Sequence, residues 1–191
     1  HELLRSRRQK TSICLAIFDL DHFKQINDRY GHAVGDQVLQ RFSRLCQERI
    51  RRTDLFARFG GEEFVLLMPD TGQDQARALL DLLRTHWAEE QLDSPQGIFR
   101  STVSIGVVPI EGVSPLEYGL ERADAALYEA KSDGRNRIQI YSESMTSPSP
   151  DTLLLANELY PALARDELRL HYQPQFDSAS GRIPAAEAFL R

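Results

Sequence analysis

Two apolar runs flank a pair of glycines, and that pattern leaves the chain little local choice. Leu55 to Phe59 precedes Gly60-Gly61, and Phe64 to Met68 follows. Short apolar runs joined through a Gly-rich pair fold as a β-hairpin, because glycine adopts the turn backbone that other residues resist. The rest of the chain offers further strands and helices around it. Ser12 to Asp19 carries Ile13, Leu15, Ile17 and Phe18 in a compact run that reads as a buried strand. His22 to Arg29 reads as a short helix ended near Gly31. A second helix begins near Gly35 and Asp36, with Val38, Leu39, Phe42, Leu45, Cys46 and Ile50 at helical spacing.

Asp74 to Glu89 is a predicted helix with Ala76, Leu79, Leu80, Leu82, Leu83 and Trp87 for its core stripe. Phe99 to Val108 is a predicted strand. Pro115 to Ser132 is a predicted helix closed by Gly134, and Arg137 to Tyr141 a last strand. The order β-α-α-β-β-α-β-α-β implies an α/β sandwich with a mixed sheet. His1-Glu2-Leu3-Leu4-Arg5 reads as mid-helix, an expectation that a longer parent continues upstream, with a short basic helix end to about Lys10. Ser142 to Asp151 is polar and rich in Pro and Ser, a linker pattern. Beyond it, Thr152 to Arg165 is a predicted helix. Leu168 to Phe176 and Arg182 to Phe189 are predicted strands joined by a turn at Ser178 to Gly181. The expected division is 1–141 as one domain, 142–151 as linker and 152–191 as the start of another.

A net charge of -5 argues against coating a nucleic acid, whose phosphates demand a basic surface. Cys14 and Cys46 both fall in apolar patterns, so buried reduced thiols in a cytosolic protein are expected. No run approaches the roughly 18 apolar residues of a membrane helix.

The chemistry-bearing residues cluster around strand ends. Asp19 and Asp21 stand where the first strand runs out, and Glu62 and Glu63 sit at the hairpin tip. Carboxylates gathered at one sheet edge repel unless a cation neutralises them, and hard oxygen donors favour Mg²⁺ or Mn²⁺. Each feature also has a plainer reading: a solubilising turn, or an Asp that merely starts a loop. Lys24 suits a phosphate or solvent. Asn27 and Asp36 flank Tyr30-Gly31-His32 and match the donors and acceptors of a guanine edge, and Asp36 equally suits a helix N-cap. Lys131 and Arg135 bracket a helix end, where the macrodipole favours cations even without a ligand.

Taken together, these stretches resemble the GGDEF family. Phe18-Asp19-Leu20-Asp21-His22-Phe23-Lys24-Gln25-Ile26-Asn27-Asp28, then Gly31-His32 and Gly35-Asp36, is similar to its nucleotide-binding stretch. Gly60-Gly61-Glu62-Glu63-Phe64 resembles the GGEEF variant of its signature. Ser104-Ile105-Gly106-Val107, Ala123-Asp124-Ala125-Ala126-Leu127-Tyr128-Glu129-Ala130-Lys131 and Gly134-Arg135-Asn136 follow in the family's order. The resemblance spans about residues 1–141.

It implies a palm-like nucleotide-cyclase fold, GTP as substrate, cyclic di-GMP as product, and two Mg²⁺ (or Mn²⁺) ions. By position, Asp19, Glu62, Glu63 and the Leu20 carbonyl would hold metal, and Glu62 is the catalytic carboxylate. Lys24 would stabilise the transferring phosphate. Asn27, His32 and Asp36 would bind the nucleotide, and Lys131 and Arg135 the terminal phosphates. Arg51-x-x-Asp54 corresponds to an inhibitory product site; its plain alternative is a surface ion pair. Each domain would hold one GTP, so a C2 homodimer is the implied active form.

Leu170-His171-Tyr172-Gln173-Pro174-Gln175 and Glu187-Ala188-Phe189-Leu190-Arg191 resemble the opening of an EAL cyclic di-GMP phosphodiesterase domain, with Glu-Ala-Phe in place of Glu-Ala-Leu. Gln173, Glu187 and Arg191 are the positions it would use. Phosphodiesterase activity is not expected from so short a piece. The implied parent carries an upstream sensory domain and the rest of the EAL domain. Two other readings stay open: a catalytically silent GTP-binding regulatory module, and a cyclic di-GMP receptor acting through Arg51 and Asp54.

Overall fold

The computed structural model describes residues 11–110 and 116–145, with the backbone of 170–175 and 185–190. The helices expected over 1–10 and 152–165 lie outside the described residues, as do Pro115, the turn at Ser178 to Gly181 and Arg191. The chain divides into two units, His1–Ser147 and Pro148–Arg191.

In the first unit β1 (Ile13–Leu20) is followed by α1 (Phe23–Tyr30), α2 (His32–Gln47), β2 (Leu55–Gly60), β3 (Glu63–Pro69) and α3 (Gln73–Glu89). Then come β4 (Leu92–Ser94), β5 (Gly97–Phe99), β6 (Val103–Ile110), α4 (Leu116–Ser132) and β7 (Ile138–Ile140). The main sheet has the order β2-β3-β1-β6-β7. Its pairs are antiparallel except β6 with β7, which run parallel. This is the mixed sheet expected from the sequence.

β1 is central and all eight of its residues are buried. Two cores explain why. Cys14, Ala16, Phe18 and Leu20 face the side covered by α1, α2 and α3. Ile13, Leu15 and Ile17 face the side where Ala123 and Leu127 of α4 pack. A strand covered on both faces reads as a continuous apolar run, which is what the sequence shows. Phe42 anchors the larger core, with its ring centroid 5.0 Å from Phe64 and 5.1 Å from Trp87 in edge-on contact.

Several boundaries differ from expectation. α2 starts at His32 rather than near Gly35, because Gly31, at φ 87°, both ends α1 and opens α2. Asp36 is therefore inside the helix and does not cap it. The strand expected from Phe99 splits. Phe99 belongs to the small β4–β5 hairpin, and its ring stacks on Tyr30 at 4.5 Å. Leu82, assigned to the α3 core stripe by spacing, is 46% exposed.

In the second unit β8 (Leu170–Gln175) and β9 (Ala185–Leu190) form an antiparallel hairpin in which Gln173 is the register partner of Glu187.

Candidate active site

The site grows from the end of β1. Asp19 is the register partner of Glu63 on one side and Ser104 on the other. The Leu20 N–H donates to the Glu62 carbonyl at 3.4 Å. Antiparallel pairing thus carries the hairpin tip to the strand end, and Asp19, Glu62 and Glu63 share one edge. Lys131 arrives from the opposite layer, with Nζ 2.7 Å from Asp19 Oδ2. Its reach depends on Gly106. A Cβ there would lie 2.1 Å from the Ala123 carbonyl oxygen and 2.3 Å from the Leu127 nitrogen. Without one, α4 lies directly on β6, and Lys131 emerges one turn beyond Leu127.

Burial is the main cause that pushes the Asp19 carboxyl above the usual carboxylate range; Lys131 opposes the shift, and Glu62 and Asp21 add to it. Glu63 is raised first by burial, then by the charge of Asp19. Asp124 is raised by burial and pulled back by Lys131. One lysine therefore serves several crowded carboxylates. Sequence reasoning assigned Asp124 no role. The available signal was its place seven residues before Lys131, on the same helix face.

Beside this edge lies a cleft of about 510 Å³, bounded by Lys24, Asn27, His32, Asp36, Arg58, Gly61 and Glu62. Five residues picked from sequence, Lys24, Asn27, His32, Asp36 and Glu62, thus line one cavity. Asn27 lies against Gly35, where a Cβ would sit 2.0 Å from Asn27 Oδ1. That glycine lets a side chain of α1 rest on the first turn of α2. Arg58 was missed; its Nε donates to the Gly61 carbonyl at 2.8 Å, bracing the turn that carries Glu62. A basic residue two positions before the glycine pair was the signal.

Asp21 departs from the acidic cluster in which sequence reading placed it. Its carboxylate accepts from Thr102 Oγ1 at 2.6 Å, Ser104 Oγ at 2.7 Å and the Asn136 N–H at 3.1 Å. It is a structural tie, because three donors occupy its oxygens. Arg135 lies half-buried on the turn next to that tie. Arg51 and Asp54 do not line the cleft. They close a turn before β2, in which the Arg51 N–H donates to Asp54 Oδ2 at 2.8 Å and the Asp54 N–H to the Arg51 carbonyl at 3.0 Å.

All the acidic donors at the strand edge are oxygen, the chemistry of a hard divalent cation. Among the described residues no three His, Cys, Asp or Glu side chains close into a complete metal cage. Mg²⁺ does not require one, since it binds through one or two carboxylates and completes its shell with water and substrate phosphate. The donor set fits such an ion.

The model of the GGDEF diguanylate cyclase domain matches residues 1–137. The chain belongs to the GGDEF family. It is 42% identical over 139 residues to diguanylate cyclase DgcP of Pseudomonas aeruginosa, an alignment covering 73% of this chain and 21% of that protein. It is 34% identical over 186 residues to cyclic di-GMP phosphodiesterase NbdA of the same organism, covering 97% of this chain and 24% of the relative. The chain therefore spans less than a quarter of either protein's length. Among solved structures, the active GGEEF domain of a diguanylate cyclase from Vibrio cholerae superposes with a TM-score of 0.70 at 33% identity, covering 75% of this chain and 91% of that one. The palm-like GGDEF architecture expected from the sequence is the one observed. No helix among the described residues is long and apolar enough to cross a membrane.

Proposed function

We propose that this chain is the diguanylate cyclase domain of a larger bacterial signalling protein, condensing two GTP into cyclic di-GMP and two pyrophosphates. The observation that carries this reading is the junction of a nucleotide-sized cleft with the Asp19–Glu63 edge through Glu62. Asn27 and Asp36 read the guanine edge by amide and carboxylate hydrogen bonds, and His32 helps bind the nucleotide. Lys24 balances charge on the reacting phosphate. Lys131 and Arg135 hold the terminal phosphates, which become the leaving group. Glu62 stands at the reacting end as the catalytic carboxylate.

The GGDEF cyclase family uses a divalent metal. Asp19, Glu62, Glu63 and the Leu20 carbonyl would hold two Mg²⁺ or Mn²⁺ ions, which when bound polarise the phosphate and the attacking hydroxyl. Each 3′-hydroxyl attacks the other nucleotide's α-phosphorus; the new P–O bond forms as the bond to pyrophosphate breaks and the hydroxyl proton leaves. This cleft takes one GTP, so two chains face each other about a two-fold axis, in the cytoplasm.

In this reading 1–141 is the GGDEF domain in its GGEEF form, 142–151 the linker and 152–191 the start of an EAL domain. The register pairing of Gln173 with Glu187 supports the last assignment, as does alignment with the phosphodiesterase NbdA across 97% of the chain. A second, regulatory site at Arg51 and Asp54 is favoured by one observation: the pair sits on one turn outside the cleft, with Arg51 exposed and free to meet a ligand by its planar guanidinium.

The test is incubation with GTP and Mg²⁺ followed by mass spectrometry for cyclic di-GMP. Product that disappears in Glu62→Ala, with the fold retained, is the expected result. GTP binding without product, in the chain and in its full parent, overturns catalysis in favour of a silent GTP-binding module. Product binding that survives Glu62→Ala and is lost in Arg51→Ala identifies the regulatory site.

A further inference from the structure

The turn after α4 is held in an unusual way. Gly134, Arg135 and Asn136 all have left-handed backbone, at φ 108°, 62° and 47°. For Gly134 this is ordinary. Arg135 is strained there, while Asn136 tolerates the region better than most; two such residues in succession persist only where the surroundings hold them.

Asn136 supplies the restraint from two directions. Its N–H donates to Asp21 Oδ2 at 3.1 Å, and Asp21 is itself only 4% exposed. Its carbonyl oxygen and its Oδ1 accept from Arg84 Nη1 of α3, at 3.2 Å and 3.1 Å. Arg84 is in turn oriented by Asp81, whose Oδ1 accepts from Nη2 at 2.7 Å and Nε at 3.0 Å. A buried carboxylate therefore grips Asn136 on one side and a braced guanidinium grips it on the other. All three bonds involve a charged group, the stronger kind of hydrogen bond. The residue immediately before this grip is Arg135.

We propose that Asn136, clamped between Asp21 and Arg84, is a positioning residue that sets the Arg135 guanidinium against the terminal phosphates of the nucleotide. The inference rests on the placement of Arg135 under the proposed function. It gives Asp21 a task distinct from metal binding. It also links α3, an element that does not line the cleft, to discrimination between a nucleoside triphosphate and a monophosphate. Relaxing the clamp lets the Arg135 backbone leave the left-handed region. Contact with the outer phosphates weakens, while recognition of the base in the α1–α2 cleft is untouched.

The experiment measures affinity for 3′-deoxy-GTP, which lacks the attacking hydroxyl, and for GMP, by calorimetry with Mg²⁺ on the full chain. Melting temperatures are recorded alongside. Arg84→Ala and Asn136→Ala are expected to weaken the triphosphate about tenfold, within the range that misplacement of a binding group produces, and to leave GMP within about twofold. Asn136→Gly keeps the N–H for Asp21 and the carbonyl for Arg84 and adopts positive φ without strain, so it recovers most of the triphosphate preference. Arg135→Ala is the reference for losing the share of that preference that Arg135 supplies.

If Arg135→Ala lowers the preference while Arg84→Ala and both Asn136 variants leave it unchanged, the clamp is overturned and the proposed function stands. A lowered melting temperature with unchanged preference overturns it in the same way. If Arg135→Ala leaves the preference unchanged, or the unaltered chain binds neither nucleotide, the reading beneath the clamp fails and the clamp with it. Should Asn136→Ala fail to fold, Arg84→Ala and Asn136→Gly still decide the matter.

Discussion

Asp19 and Asp21 stand two residues apart at the end of one strand, and their surroundings have opposite purposes. Asp21 meets three hydrogen-bond donors that tie β1, β6 and the turn before β7 together. Asp19 meets one lysine and several like charges, and its carboxyl is raised by burial. The first is a carboxylate used to hold a fold. The second is a carboxylate the fold tolerates at a cost, the mark of a site kept for binding a cation or substrate rather than for stability.

The sharpest way to break this contrast is to neutralise each in turn. Asp19→Asn is expected to cut cyclic di-GMP formation on the order of 10²–10³-fold, the range for losing a group that stabilises transition-state charge. Its melting temperature should hold or rise. Asp21→Asn presents an amide donor to hydroxyls and an N–H that need acceptors. That should cost about 2–4 kcal/mol, from lost charge-assisted bonds and an unsatisfied group. Activity assays and thermal melts on both variants decide it; a destabilised Asp19→Asn erases the contrast.

Gly106→Ala tests whether helix–sheet contact delivers Lys131 to Asp19. The added methyl meets helix backbone, so overpacking of about 1–3 kcal/mol is expected in denaturant unfolding, together with reduced turnover. Gly35→Ala makes the complementary change in the cleft. Its methyl meets the tip of Asn27, which can rotate away, and the ring of Phe23, whose Cζ lies 3.2 Å from it and must give slightly. The stability cost should be about 1 kcal/mol, at the low end of overpacking. GTP affinity should fall about tenfold, equivalent to about 1.4 kcal/mol. Equal loss of GTP and ATP binding rules out guanine reading by Asn27.

The smallest expected effect concerns pH. Asp19 and Glu63 both have carboxyls raised above their ordinary values of 3.8 and 4.5. For a group raised in the folded state, the stabilising contribution is fully present below the unfolded pKa and is lost as pH rises through the folded one. The metal-free protein should therefore lose part of its stability as pH rises through the raised values, and Asp19→Asn should flatten that loss. Turnover runs the other way, since it needs the ionised carboxylates: protons compete with Mg²⁺ for them, so the rate should fall on acidification and raising Mg²⁺ should move that fall to lower pH. Melts and initial rates across the same pH series check both signs.

Much of this was readable in the chain. The apolar run at Ile13, Leu15, Ile17 and Phe18 announces a strand covered on both faces. The glycine pair announces the hairpin, and Lys24, Asn27, His32, Asp36 and Glu62 do line one cleft. Spacing alone could not tell that Gly31 serves two helices at once, nor that Phe99 leaves the main sheet to stack on Tyr30. Leu82 fitted a helical stripe and yet faces outward, because periodicity assigns a face without fixing its edges.

Local sequence determined which segments form strands and helices, because backbone preference and apolar period act over a few residues. It also marked the acidic strand ends and the glycine pair, whose chemistry is intrinsic to the side chains. Tertiary structure alone decided the division of labour between Asp19 and Asp21, the approach of Lys131 over Gly106, the entry of Arg58 and Asp124 into the site, and the grip on Asn136. Those outcomes depend on which donors and charges arrive from elements as many as 115 positions away in the chain. Hydrogen bonding and burial act through space, and no local pattern encodes them.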